Sequence, residues 1–126
     1  MTNYGDFYHC ELCGHVVSVV YPGAPTLVCC GQPMKLLNAN TTDASKEKHV
    51  PVIEAKGAST LIKVGSAPHP MTPEHHIAFI EVVLKSGKRC RAKLDPAGAP
   101  EAEFAVQSSD IEAVYEYCNI HGLWKA

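Results

Sequence analysis

Four cysteines lie within the first 37 residues of the chain, as Cys10-Glu-Leu-Cys13 and, after a 15-residue gap, the adjacent pair Cys29-Cys30. A segment of this length buries too little apolar surface to fold alone, so an ion or another partner must stabilise it. Two thiolates three positions apart can bind one ion while the chain turns between them, and Gly14 favours that turn. The spacing therefore predicts one ion held by four sulfurs.

The adjacent cysteines constrain the backbone around this ion. Neighbouring side chains tend to point apart, so Cys29 and Cys30 can bind the same ion only if the local backbone is distorted. Four thiolates suit either zinc or a single iron ion. A zinc ion that only stabilises the segment and a redox-active iron both fit the spacing, whereas a disulfide between Cys29 and Cys30 is disfavoured in a reducing compartment.

The composition of the whole chain excludes several other classes of protein. The 126 residues fit one or two small domains, and 11 basic against 13 acidic side chains give no electrostatic footprint for nucleic acid. No apolar run approaches the roughly 18 residues that a membrane helix needs. The N-terminal residues lack the pattern of a signal peptide, so we expect a cytoplasmic protein. In such a protein the clustered cysteines and histidines, six and seven in number, are interpreted as metal ligands in preference to disulfide-bonded cysteines.

The remainder of the chain reads as a second domain. Residues 38–48 are polar and predict a linker between a domain at 1–37 and a domain at 38–126. Short apolar and β-branched stretches separated by turn residues then predict a small antiparallel β-sandwich. They are Val50–Ile53, Ser59–Val64, His76–Lys85, Cys90–Leu94, Glu103–Val106 and Ala113–Tyr117. A helix over Ser108–Tyr117 is the alternative at the last of these.

A second group of potential ligands lies in this domain. Cys118-Asn-Ile-His121 ends in a glycine turn, and His69-Pro-Met-Thr-Pro-Glu-His75 places two imidazoles on either side of a proline-stiffened loop. His49 precedes the first apolar stretch. Several imidazoles with one thiolate differ from the four-ligand pattern of structural zinc and leave a coordination position open for catalysis. Copper with Met71 as a weak axial ligand is the competing interpretation, and the surplus of imidazoles disfavours it.

These residues occur in motifs that resemble those of the desulfoferrodoxins, the two-iron class of superoxide reductases. Tyr8-His-Cys-Glu-Leu-Cys-Gly and Cys29-Cys-Gly resemble the desulforedoxin-like domain. Glu47-Lys-His-Val-Pro, the segment from Gly65 through His69-Pro-Met-Thr, and Cys118-Asn-Ile-His-Gly-Leu-Trp-Lys resemble the catalytic domain. The resemblance covers nearly the whole chain. It implies an all-β chain with an immunoglobulin-like catalytic sandwich that forms homodimers.

The resemblance also implies two iron sites per chain. The first would be an Fe(Cys)4 centre held by Cys10, Cys13, Cys29 and Cys30. The second would have four equatorial imidazoles and one axial thiolate, supplied by His49, His69, His75, His121 and Cys118. The implied reaction is the one-electron reduction of superoxide to hydrogen peroxide, with electrons from rubredoxin or a similar small donor.

Two residues before the first imidazole are expected to take part in catalysis. Lys48 would attract the superoxide anion and orient a water that supplies a proton. Glu47 resembles the family glutamate that binds ferric iron at the open position. Read without the motif, this pair would be ordinary solvated linker residues. His9, His15, His76 and Cys90 are left without a role, and Cys90 is interpreted as a small, partly buried apolar residue.

Three other functions remain open at the level of the sequence. A zinc ribbon joined to a β-sandwich would be a structural or regulatory adaptor, and two iron centres could serve electron transfer alone. Dismutation of superoxide is the nearest chemical rival, and an electron-rich thiolate ligand disfavours it. Metal analysis separates iron from zinc, and the yields of oxygen and peroxide separate reduction from dismutation.

Overall fold

The computed structural model describes residues 1–41 and 49–126, which form two compact units, Met1–Asn38 and Ala39–Ala126. Within these ranges the regular structure is β-strand apart from one short 3-10 helix, so the expected all-β fold is confirmed. No helix in the described part of the chain is long and apolar enough to cross a bilayer. The linker residues 42–48, with Glu47 and Lys48, lie outside the described residues.

The first unit is built from very short strands. They are β1 (Phe7–His9), β2 (Val16–Ser18), β3 (Val28–Cys29), β4 (Gln32–Pro33) and β5 (Lys35–Leu36). The order β2-β1-β5 forms one antiparallel sheet, and β3 pairs with β4 in a hairpin. The apolar side chains Phe7, Tyr8 and Val19 are buried, whereas Val20 and Tyr21 are 80% and 89% exposed. So small a core agrees with the expectation that a bound ion stabilises this unit.

The second unit is an antiparallel sandwich of the immunoglobulin-like kind. Its strands are β6 (Pro51–Lys56), β7 (Ser59–Val64), β8 (Ile77–Leu84), β9 (Arg89–Lys93), β10 (Glu101–Phe104), β11 (Ile111–Cys118) and β12 (Gly122–Lys125). One sheet has the order β10-β7-β6 and the other has the order β12-β11-β8-β9. The 3-10 helix Ser108–Asp110 leads into β11. The segment Ser108–Tyr117, for which an α-helix is the alternative, is therefore a strand from Ile111 onward.

Alternation of side chains across the two sheets builds the core of the sandwich. In the pairing of β8 with β11, Val82 lies opposite Val114, and both side chains are fully buried. Burying each such side chain contributes about 1.5–3 kcal/mol. The core also contains a ligand candidate, because Cys118 belongs to the same buried cluster, which comprises Ile62, Val64, Ile77, Ile80, Val82, Leu94, Phe104, Val114 and Cys118.

A buried ion pair ties β8 to β9. The carboxylate of Glu81 is fully buried and accepts hydrogen bonds from Arg89 Nε at 2.6 Å and from Arg91 Nε at 2.7 Å. A buried carboxylate that stays ionised is stabilised by partners of opposite charge that satisfy its oxygens. The contacts of Glu81 with the two arginines therefore stabilise the register of β9, in which Arg91 lies opposite Glu81.

Candidate metal centres

The four cysteines of the first unit converge. One sulfur from each of Cys10, Cys13, Cys29 and Cys30 lies within 4.8 Å of every other. Cys13 Sγ is 3.5 Å from Cys29 Sγ, and Cys29 Sγ is 3.9 Å from Cys30 Sγ. Sulfurs bound at about 2.3 Å around one tetrahedral ion are about 3.8 Å apart, so these spacings fit a single ion.

The backbone at the adjacent cysteines is distorted as predicted. Cys30 has φ of 53°, in the left-handed region that side chains other than glycine rarely adopt, and Gly31 follows with φ of 75°. This turn after β3 points the side chain of Cys30 to the same side as that of Cys29, which an extended backbone would not do.

The thiols of Cys13 and Cys29 differ in acidity although they share one cluster. Hydrogen bonds from the backbone N–H and the side chain of His15 lower the pKa of the Cys13 thiol to about 6. Hydrogen bonds with Cys13 and Cys10 raise the pKa of the Cys29 thiol to about 12. Since a metal binds thiolates, Cys13 is more readily available to an incoming ion than Cys29.

The five predicted ligands of the second unit also come together, at one end of the sandwich. His49 precedes β6 and His69 follows β7, and β6 begins where β7 ends because Pro51 pairs with Val64. His75 precedes β8, and Cys118 ends β11. Since Cys118 pairs with Ile77, β11 ends where β8 begins, and antiparallel pairing thus gathers residues that are far apart in sequence.

A tight turn brings the fifth ligand to the same place. His121 lies between β11 and β12, and its backbone N–H is 3.5 Å from Cys118 Sγ. Gly122 ends the turn with φ of 86°, a conformation that favours glycine. The two residues between Cys118 and His121 form this turn. The turn brings the thiolate and the imidazole close together, so that both can bind one ion.

The four imidazoles form a closed ring in which each contacts two neighbours at steep angles. His49 lies 4.7 Å from His69 and 4.8 Å from His121, measured between ring centroids, at interplanar angles of 66° and 76°. His75 lies 4.7 Å from His69 and 5.1 Å from His121, at angles of 83° and 74°. His49 is therefore opposite His75, and His69 is opposite His121, which is the order of four equatorial ligands around one ion.

Cys118 lies beside this ring, midway between two of its opposite members. Its sulfur is 3.6 Å from His69 Nε2 and 3.8 Å from His121 Nδ1. Cys118, His49 and His69 are buried, whereas His121 is exposed. Within residues 1–41 and 49–126 the group comprises one sulfur and four nitrogens, so an octahedral ion that bound all five would have a sixth position for another ligand.

The distances between nitrogens fit a metal ion. His49 Nε2 is 3.1 Å from both His69 Nε2 and His121 Nδ1. Nitrogens bound at about 2.1 Å and at right angles are about 3.0 Å apart. His69 Nδ1 is 2.7 Å from the Pro70 carbonyl oxygen, which can only accept, so Nδ1 holds the proton and Nε2 offers its lone pair. One cation would bind all three converging nitrogens, whereas a single proton can bridge only two.

Two side chains that the sequence did not single out hold these ligands. The indole of Trp124 stacks on His49 with the ring centroids 4.7 Å apart and donates to the His121 carbonyl oxygen at 3.2 Å. Asn119 accepts from the His76 backbone N–H at 2.8 Å and donates to the Glu74 carbonyl at 2.9 Å, on either side of His75. Both lie inside the C-terminal motif, but only the folded chain shows what they contact.

The remaining candidates take other places. Met71 Sδ accepts from the backbone N–H of Ile77, and its side chain packs against the core, which disfavours the copper alternative. His76 Nδ1 lies 2.9 Å from the Thr72 carbonyl, outside the ring. Cys90 is partly buried against the core, so its interpretation as an apolar residue is confirmed. The expected roles of Glu47 and Lys48 fall on residues outside the described ranges.

A small all-β chain with a four-thiolate group in one unit and four imidazoles plus one thiolate in the other defines a protein with two metal centres, and non-haem iron suits both donor sets. The sequence model of the desulfoferrodoxin N-terminal domain matches residues 2–37, and that of desulfoferrodoxin matches residues 41–126. The chain belongs to the desulfoferrodoxin family.

Similar proteins match nearly the whole chain. Desulfoferrodoxin of Syntrophotalea carbinolica is 51% identical over 121 residues, which cover 96% of this chain and 94% of the relative. The desulfoferrodoxin homolog of Archaeoglobus fulgidus is 51% identical over 126 residues, 100% of this chain and 99% of that one. The crystal structure of the superoxide reductase from Treponema pallidum superimposes with a TM-score of 0.80 at 32% identity, covering 96% of each chain.

Proposed function

We propose that this protein is a superoxide reductase that reduces superoxide by one electron to hydrogen peroxide, in superoxide detoxification. The observation that carries the proposal is the convergence of four imidazoles and the Cys118 sulfur, because an octahedral ion held by these five ligands would keep one position for a small anion. We assign Cys118 as the axial ligand opposite that position. Iron bound by these five ligands supplies the electron. The similar protein of Treponema pallidum is a superoxide reductase.

The chain's own residues explain why such a site favours reduction. Four neutral imidazoles add no negative charge that would repel superoxide. The thiolate of Cys118, buried among apolar side chains of the core, would donate electron density to an iron bound there. The two protons of the product would come from solvent, to which His121 is exposed.

The ratio of products tests the proposed reaction. Reduction consumes one electron and two protons for each superoxide and yields one peroxide without oxygen. Dismutation converts two superoxide ions into one peroxide and one oxygen. We expect the ferrous protein, mixed with less than one equivalent of superoxide, to form one peroxide per superoxide and no oxygen. Half that yield of peroxide, accompanied by oxygen, would establish dismutation instead.

Lys48 and Glu47 are proposed as the residues that act on the substrate side. A lysine beside His49 attracts superoxide locally, whereas the net charge of the chain, −2, gives no general attraction for anions. We expect Lys48→Ala to slow the reduction of superoxide about tenfold at low ionic strength and to flatten its salt dependence, measured by pulse radiolysis. A rate in Lys48→Ala equal to the wild-type rate at low salt would remove this role.

Glu47→Ala is the matched comparison for Lys48→Ala, because it changes the neighbouring charge. If Glu47 binds the ferric ion at rest, its loss should leave the first reaction with superoxide nearly unchanged and alter the absorption spectrum of the oxidised protein. An oxidised Glu47→Ala protein with the wild-type spectrum would exclude Glu47 as that ligand.

Further proposals concern partners, location and domain limits. A rubredoxin-like protein would donate the electrons, and the chain would act as a homodimer in the cytoplasm. The described residues include all six cysteines, and none forms a disulfide there, as a reducing compartment requires. Residues 1–37 are assigned to the Fe(Cys)4 domain and 38–126 to the catalytic domain, with 38–48 as linker; the ranges of the two family matches support this division.

A further inference from the structure

His15 was left without a role by the sequence, yet its side chain contacts a predicted ligand. Its Nδ1 is 2.9 Å from Cys13 Sγ, and both residues are exposed. A metal-bound thiolate has no proton to give, so in the loaded centre the proton of this hydrogen bond belongs to Nδ1 and the sulfur accepts it. The residue lies directly before β2 (Val16–Ser18), which holds its backbone against the cysteine turn.

The ring of His15 makes the side-chain contact with this sulfur. Only a side chain of suitable reach that carries an N–H or O–H donor could supply this hydrogen bond from position 15. The imidazole is therefore a specific addition to the electrostatics of the four-sulfur group.

We propose that His15 raises the reduction potential of the four-cysteine iron centre by donating a hydrogen bond from Nδ1 to Cys13 Sγ. The reduced centre carries one more negative charge than the oxidised centre, and the sulfurs share that charge. A donor to a sulfur therefore stabilises the reduced form more, and hydrogen bonds to sulfur are among the factors that set the potential of iron–thiolate sites. The step adds one electron, and the proton stays on Nδ1.

The reduction potential of the full-length, iron-loaded His15→Phe protein tests this proposal. At fixed pH, with dithionite as reductant and redox mediators, we expect the ratio of ferric to ferrous iron at a given potential to rise about tenfold, a fall of about 59 mV for one electron. The sulfur-to-iron charge-transfer absorption should move to longer wavelength, because a sulfur that loses a donor gives up its electron more easily.

Two other variants separate the hydrogen bond from general effects of substitution. His15→Asn keeps a short N–H donor at the position and should recover part of both shifts. His9→Phe removes an imidazole on β1 of the same unit and should leave the potential and the absorption band unchanged. His15→Ala replaces His15→Phe in the titration if the bulkier ring prevents loading with iron.

Wild-type potential and absorption in His15→Phe or His15→Ala would overturn the proposal. An equal shift in His9→Phe would also overturn it, because a general effect of losing an imidazole would then explain the result. The inference depends on iron in the four-cysteine group and not on the reaction at the other centre. The product ratio with superoxide therefore tests the proposed function independently of these titrations.

Discussion

Replacement of Cys118 by serine is expected to slow superoxide reduction at least about a hundredfold, more than the 10–100-fold that a partner of a metal ligand typically contributes. The side chain is fully buried, its sulfur lies between His69 and His121, and we assign it as the ligand opposite the substrate. The four imidazoles remain to bind the ion, but the electron density of the thiolate is lost. The charge-transfer absorption of this centre should disappear with the sulfur, which visible spectroscopy and pulse radiolysis would record.

Cys90→Ser provides the matched control for Cys118→Ser. Cys90 belongs to the same sandwich and packs against its core, but it is outside the five-ligand group. We expect Cys90→Ser to retain the wild-type rate and absorption. If Cys118→Ser also kept its rate and its band, the axial assignment of Cys118 would be wrong.

Replacement of Cys10 by alanine is expected to unfold the first unit while the sandwich stays folded. Cys10 is 1% exposed and its sulfur is one of four in the cluster, and the first unit buries few large apolar side chains. Structural zinc contributes about 10–16 kcal/mol to the folding of zinc-finger peptides, so a unit with so small a core should depend on its ion. Metal analysis should give one ion per chain, and hydrogen exchange should show loss of protection in β1, β2 and β5.

Cys118→Ser serves as the reciprocal control for Cys10→Ala. It should leave the amide protons of the first unit protected, because the altered ligand belongs to the second centre. Protected amides in the first unit of Cys10→Ala, with only one ion bound per chain, would show that the ion is not needed for its fold.

Most of the candidate ligands could be predicted from the sequence because several of them lie only a few residues apart. Cys10 and Cys13, and likewise Cys118 and His121, are held by single turns, so their separation in sequence sets their separation in space. The distorted backbone at Cys30 followed from the adjacency of two ligands and is present as a positive φ. Most of the sandwich strands were also predicted, because alternating apolar residues between turns signal strands directly.

Other elements gave weaker local signals. Strand β6 runs to Lys56 rather than ending at Ile53, because pairing with β7 extends a stretch whose own composition turns polar. The sequence does not predict strand β12, because its four residues carry no strand signal apart from their place in a motif. The short strands of the first unit alternate over too few residues to be recognised.

By itself the sequence determined which residue types are available as ligands, how they divide into two groups, and the family that these motifs resemble. Only the tertiary structure decided the order of the imidazoles, with His49 opposite His75, and the place of the Cys118 sulfur between His69 and His121. It also decided the contact of His15 with Cys13. The physical reason is that the ring order depends on how antiparallel strands distant in sequence align their ends, and the His15 contact on the direction of one side chain.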